Sequence, residues 1–157
     1  MMKKEVVILA ISWLLVIILY IGKVPRDVKG KAHISFLFAQ TLSWIYIFYS
    51  VYFKRIEFPF REFPYATKLS FSLHYMIYPA FAMFFELTYP KSKSVARIIL
   101  HYVLFAGMTE LYAFLIGHYT ELAKPLKWGY LNIMIYAVLL LITHHFVSWF
   151  EAGKRYN

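Results

Sequence analysis

The chain has 157 residues, of which 61% are hydrophobic, 21% aromatic and only 16% charged, where a soluble domain carries about 25% charged residues. An aqueous core of this length could not bury so much apolar surface, whereas a bilayer accepts it, and the composition therefore predicts an all-α integral membrane protein. The 17 Lys and Arg against 8 Asp and Glu give a net charge of +9, but these charges fall between apolar runs and form no basic face of the kind nucleic acid requires; their expected work is to set topology and touch lipid headgroups.

Five apolar runs follow one another, each read as a helix because backbone in lipid must satisfy its own hydrogen bonds. They form one domain, a membrane bundle of five transmembrane helices. The first, 6–22, follows Lys3, Lys4 and Glu5, and its end, LYIGKVP, lacks an A-x-A-like cleavage site, so it reads as an uncleaved anchor. The second, 33–53, carries Gln40, Thr41 and Ser43, and the third, 68–87, carries His74, Pro79 and Glu86. The fourth, 95–119, holds Glu110 near its middle, and the fifth, 128–150, holds Asn132, Thr143, His144 and His145. The links VPRDVKGK, TYPKSKSVAR and LAKPLKW are short and basic, each with a proline or glycine stop. The longest, residues 54–68, repeats Glu-Phe-Pro at 57–59 and 62–64. Residues before proline are pushed toward extended geometry, so this segment is expected to be non-helical and to lie along the headgroups on its phenylalanines.

Alternating spans place the N-terminus, the 54–68 segment and the 120–127 segment on one side. That side carries eight basic residues and the other nine, together the 17 of the chain, so charge bias does not decide orientation. Four basic residues, Lys23, Arg26, Lys29 and Lys31, follow the first helix and only Lys3 and Lys4 precede it, which favours a cytoplasmic C-terminus in a multi-pass protein of the cell (inner) membrane.

Glu110 is the most unusual residue of the spans, because a charge at mid-bilayer costs roughly 3 kcal/mol or more and must face protein or water. At ~100° per residue it shares a stripe with Ala106, Ala113 and Gly117, beside Gly107. His101, Phe105, Met108, Tyr112, Leu115 and Tyr119 lie opposite and are expected to meet lipid or loose packing. Small stripes let helices approach closely, so this one is also the candidate surface for another membrane protein or a second copy. By depth, Glu110 matches His74 on the antiparallel third helix. Thr109 and Tyr78 complete this expected buried polar centre, and Pro79, lacking an N–H, leaves the carbonyl of Tyr75 without its usual donor. The centre is read either as a clasp that fixes packing or as a unit that carries or senses a proton.

A second polar group gathers toward the opposite side: Gln40, Glu86, Arg97, His101, His144 and His145. His144 and His145 are ~100° apart and cannot chelate one ion together. Either could face His101 as a haem ligand pair, an alternative ranked below histidines that reach for headgroups; no cofactor and no metal are expected. The chain has no cysteine, no H-E-x-x-H and no Asp within a span, so no catalytic residue is assigned and enzyme activity is not expected, an enzyme acting on lipid headgroups through His101, His144 or Glu86 being the remaining alternative.

The EFPYAT at 62–67, the Tyr-Pro-Lys at 89–91, the Thr109-Glu110 pair and Lys127-Trp128 before the last helix together resemble a family of small uncharacterised multi-pass membrane proteins of spore-forming Gram-positive bacteria, over roughly the second half of the chain. The resemblance implies a four-to-five-helix inner-membrane protein and supplies no activity. The expected function is thus that of a non-enzymatic membrane component whose polar centre serves packing or partner docking, with proton or ion passage as the alternative.

Overall fold

The computed structural model describes residues 4–91, 94–126 and 131–153; Lys127 and Trp128, at the predicted start of the last span, lie outside them. Among the described residues five α-helices follow in order: α1 (Lys4–Lys23), α2 (Lys29–Tyr52), α3 (Tyr78–Leu87), α4 (Val95–Tyr119) and α5 (Leu131–Gly153). Four segments, Lys4–Lys23, Arg26–Tyr52, Val95–Tyr119 and Leu131–Gly153, are long and apolar enough to cross a membrane. Their apolar windows are only 17–28% buried within the protein. Side chains such as Ile11, Leu14, Ile45, Leu104 and Leu111 stand exposed on the outside, far more apolar surface than water tolerates.

The helix limits differ from the sequence expectation where polar residues continue a helix beyond its apolar run. α1 gains Lys4 and Lys23 at its ends, and its 20 residues rise ~30 Å, the thickness of a hydrocarbon core. α2 starts at Lys29, after a 3₁₀ turn over Arg26–Val28 that follows Pro25.

The third helix departs most. Helical backbone begins only at 71, and Leu73–Ile77 form a π-helical turn before α3. Pro79 has no N–H to give Tyr75, and Tyr78 reaches back five residues to the Leu73 carbonyl. The orphaned Tyr75 carbonyl accepts the Gln40 amide of α2 at 3.0 Å. This segment is short because it is central: Leu73, Ile77, Ala80, Met83 and Phe85 are all buried, and α1, α2, α4 and α5 all pack against it or its π turn. A helix apolar on every side belongs inside a bundle.

Glu62 fixes where that helix begins. Its carboxylate accepts the backbone N–H of Phe71 at 3.1 Å and of Ser72 at 2.8 Å, and the Ser70 hydroxyl at 3.2 Å. A carboxylate on the free N–H groups of a helix start also meets the positive end of the helix dipole.

At the same end of the bundle α2 closes in a Schellman turn, with Arg55 N–H on the Ser50 carbonyl at 2.8 Å and Lys54 N–H on that of Val51 at 3.0 Å. Lys54 takes the left-handed position, φ 51°, which glycine usually fills. The chain is thereby turned back over the bundle, where β1 (Ile56–Glu57) pairs antiparallel with β2 (Lys124–Pro125). Phe60 N–H to Glu121 and Leu126 N–H to Arg55 extend the pairing. The 54–68 segment is therefore only partly a surface feature: Phe63 and Tyr65 are exposed, but Phe58 is in the core. Lys4 also bonds the Tyr119 carbonyl at 3.0 Å and Glu5 meets the Glu121 N–H at 3.4 Å. The start of α1, the 54–68 segment and the 120–126 segment thus meet at one end of the bundle.

Candidate functional site

α4 turns inward on Phe105, Ala106, Thr109 and Ile116, with Tyr112 packed against Tyr78 and Phe81. The expected division into an inward small stripe and an outward bulky one is therefore corrected. Phe105 and Tyr112 face protein, while Met108, Leu115 and Tyr119 are exposed. Ala106 is fully buried, yet a Cβ on Gly107 would meet nothing within 4 Å. The inward face of α4 is centred near Thr109, so the stripe of Ala106, Gly107, Ala113 and Gly117 is divided between core and margin.

Glu110 consequently sits at the flank of that face, next to α5. Its side-chain partner is Asn132, and its buried Oε2 has no hydrogen-bond partner among the described residues. His74, 3% exposed, shares a hydrogen bond with the Ser43 hydroxyl through Nδ1 at 2.9 Å, and its Nε2 has no partner among the described residues. The two residues expected to bond each other do not. They face a common cavity of about 90 Å³ instead. The expected clasp assumed that equal depth implied contact, but depth leaves rotation about the helix axis open.

The cavity lies between α2, α3, α4 and α5, and the β1–β2 pair contributes Arg55, Ile56 and Pro125 to its wall. From α2 it takes Ser43, Tyr46 and Ser50; from the central helix His74 and Tyr78; from α4 Thr109 and Glu110; from α5 Asn132, Tyr136 and Thr143. The expected centre of His74, Tyr78, Thr109 and Glu110 is thus brought together around one space. Two of its hydroxyls are satisfied within their own helices, Thr109 on the Phe105 carbonyl at 2.8 Å and Thr143 on that of Leu139 at 2.9 Å. Ser50, 1% exposed, leaves its hydroxyl without a partner among the described residues. Asn132, Ser50, Tyr46 and Tyr136 were not assigned to the centre from sequence. Asn132 carried the one available signal, an amide in an apolar run.

The second polar group divides. Glu86, with a fully buried side chain, has His144 Nδ1 at 3.0 Å from Oε1 and Lys31 Nζ at 3.4 Å from Oε2. The Lys31 contact is an ion pair without hydrogen-bond alignment; the same ammonium donates to the Glu86 carbonyl at 3.1 Å. An ionised carboxylate only accepts, which puts the His144 proton on Nδ1. His101 belongs to the same neighbourhood through the Phe85 carbonyl, 3.0 Å from Nε2. Arg97 and His145 are exposed and stand outside the Glu86 contacts, and Gln40 is at Tyr75. The haem alternative does not fit: Tyr89 is stacked on His144 at 3.9 Å and Phe85 lies 4.7 Å from His101, filling the ground between the two imidazoles. Comparison with protein-family models, with curated proteins and with solved structures returned no match.

Proposed function

We propose that this is a five-span, non-enzymatic protein of the cell membrane whose bundle encloses a hydrated polar chamber, in which Glu110 and His74 handle a small polar solute or ion. One observation carries the reading: three buried polar atoms without partners among the described residues, His74 Nε2, Glu110 Oε2 and Ser50 Oγ, belong to residues around the same cavity. Buried polar groups left unpaired are costly, and the cost disappears if water or a polar ligand fills the space. A cavity of about 90 Å³ has room for several waters, each needing roughly 10–15 Å³ of such volume. A clasp, by contrast, would have closed the two side chains on each other. Membership of the spore-former family rests on the short motifs quoted above, of which Lys127-Trp128 lies outside the described residues.

The absence of cysteine gives a clean test of the chamber. In lipid nanodiscs, Ser43→Cys and Ser50→Cys should react with hydroxyethyl methanethiosulfonate, which is polar and uncharged. Ser35→Cys, equally buried but bonded to the Lys31 carbonyl and away from the cavity, should stay unmodified. No reaction at either chamber position would show that water does not reach it.

The topology is tested in whole cells with an impermeant thiol reagent. Tyr65→Cys and Lys124→Cys lie at the β1–β2 end and should label from outside. Lys29→Cys and Lys91→Cys, at the other end, should label only after permeabilisation. If Tyr65 and Lys91 label from the same face, the central helix does not cross the membrane.

A further inference from the structure

We propose that the solute taken by this chamber is a small primary ammonium ion, with the Glu110 carboxylate as its counter-charge and the rings of Tyr46, Tyr78 and Tyr136 as its wall. The inference rests on the chamber reading above and adds the chemical class. The amide of Asn132 bonds Glu110 but brings no charge, and among the described residues no cationic side chain forms an ion pair with Glu110. A carboxylate with a buried free oxygen in a space of low dielectric attracts a cation from outside the chain.

The wall says which kind of cation. Tyr136 stands edge-on to Tyr46 and stacked toward Tyr78, each at 6.3 Å between ring centres, and all three rings line the cavity. Faces of tyrosine attract organic and ammonium cations within about 6 Å. A divalent metal wants several anionic or imidazole ligands, and no group of three converges among the described residues. The free atoms suit a donor: Glu110 Oε2 accepts as the carboxylate oxygen of an ionised side chain, and Ser50 Oγ and His74 Nε2 can accept as well. A primary ammonium brings three N–H donors, and a quaternary one brings none. Size sets a limit, since an apolar cavity of roughly 150 Å³ takes benzene and this one, at about 90 Å³, takes something smaller.

Isothermal titration of the protein in nanodiscs of zwitterionic lipid, at constant ionic strength, decides the matter with ethylammonium as the probe. Ethylammonium should bind saturably, at least tenfold tighter than ethanol, its neutral counterpart, or tetramethylammonium. Glu110→Gln keeps the shape and should weaken ethylammonium tenfold or more, and Tyr136→Leu several-fold, with helical circular dichroism unchanged. Equal binding of ethanol and ethylammonium, absence of any ethylammonium heat, or undiminished binding by Glu110→Gln would overturn the assignment. Should the Gln variant fail to fold, the probe series on the unaltered protein still decides. Thiol modification at Ser43→Cys and Ser50→Cys separates the two levels: if it persists while ethylammonium fails, the chamber stands and the ligand class falls; if it fails too, both fall.

Discussion

Glu86→Ala should destabilise the bundle by about 3 kcal/mol, measured by reversible unfolding in mixed micelles. Breaking a buried ion pair by removing one partner costs roughly 3–5 kcal/mol because the other is stranded. The lower end applies here, since the Lys31 side chain is 30% exposed and that of His144 21%, and Lys31 keeps the Glu86 carbonyl. The carboxylate joins α2 to α5 through the central helix, so its loss loosens three elements at once. A triple replacement, Glu86→Leu with Lys31→Met and His144→Phe, should recover much of the loss, since well-packed apolar groups often replace a buried ionic cluster at little cost. Equal destabilisation by the single and triple variants would mean that packing around Glu86, not its charge, holds the site.

Glu62→Ala should cost about 2–3 kcal/mol and loosen the start of the central helix first. Three donors, two backbone N–H groups and the Ser70 hydroxyl, converge on this carboxylate. A helix cap is worth about 0.5–2 kcal/mol and a hydrogen bond to a charged group roughly 1.5–3, and the three share one side chain, so the contributions do not add in full. Amide exchange at Phe71 and Ser72 should quicken by at least tenfold while that of Met83 and Phe85 changes little. Uniform loss of protection along the whole helix would show that Glu62 acts on the fold at large and not on the helix start.

Which parts of this arrangement could be read from the chain follows from what each signal encodes. Apolar runs announce helices, and each of the five runs contains one, four of them long and apolar enough to cross a membrane. Proline announces a missing N–H, and the orphaned carbonyl of Tyr75 is where Pro79 implies it. The donor, Gln40, was grouped with Glu86 because depth along a helix is legible and rotation about its axis is not. The same ambiguity paired Glu110 with His74 across α3 and α4, whereas the packing of α4 turns the carboxylate to Asn132 on α5. Glu62 was hidden for a different reason: its partners lie eight to ten residues away across a loop that holds Pro64, and no local pattern specifies such a cap. The turn at Lys54 was hidden because lysine stands where glycine would have advertised the left-handed position.

The shortness of the central helix bears on how the protein is made. Residues 71–87 rise roughly 25 Å at 1.5 Å each, less than a hydrocarbon core, and they carry a proline, a histidine and a glutamate. Alone in lipid the segment would expose the Tyr75 carbonyl, and Glu86 would lack both Lys31 and His144. Its partners come from both directions along the chain: Gln40 and Lys31 are synthesised before it, His144 long after. The segment is therefore synthesised before the last of its partners exists, and its settled place in the bundle depends on α5. Such a helix separates its own synthesis from its final packing: the incompletely satisfied central segment waits for α5 to close around it.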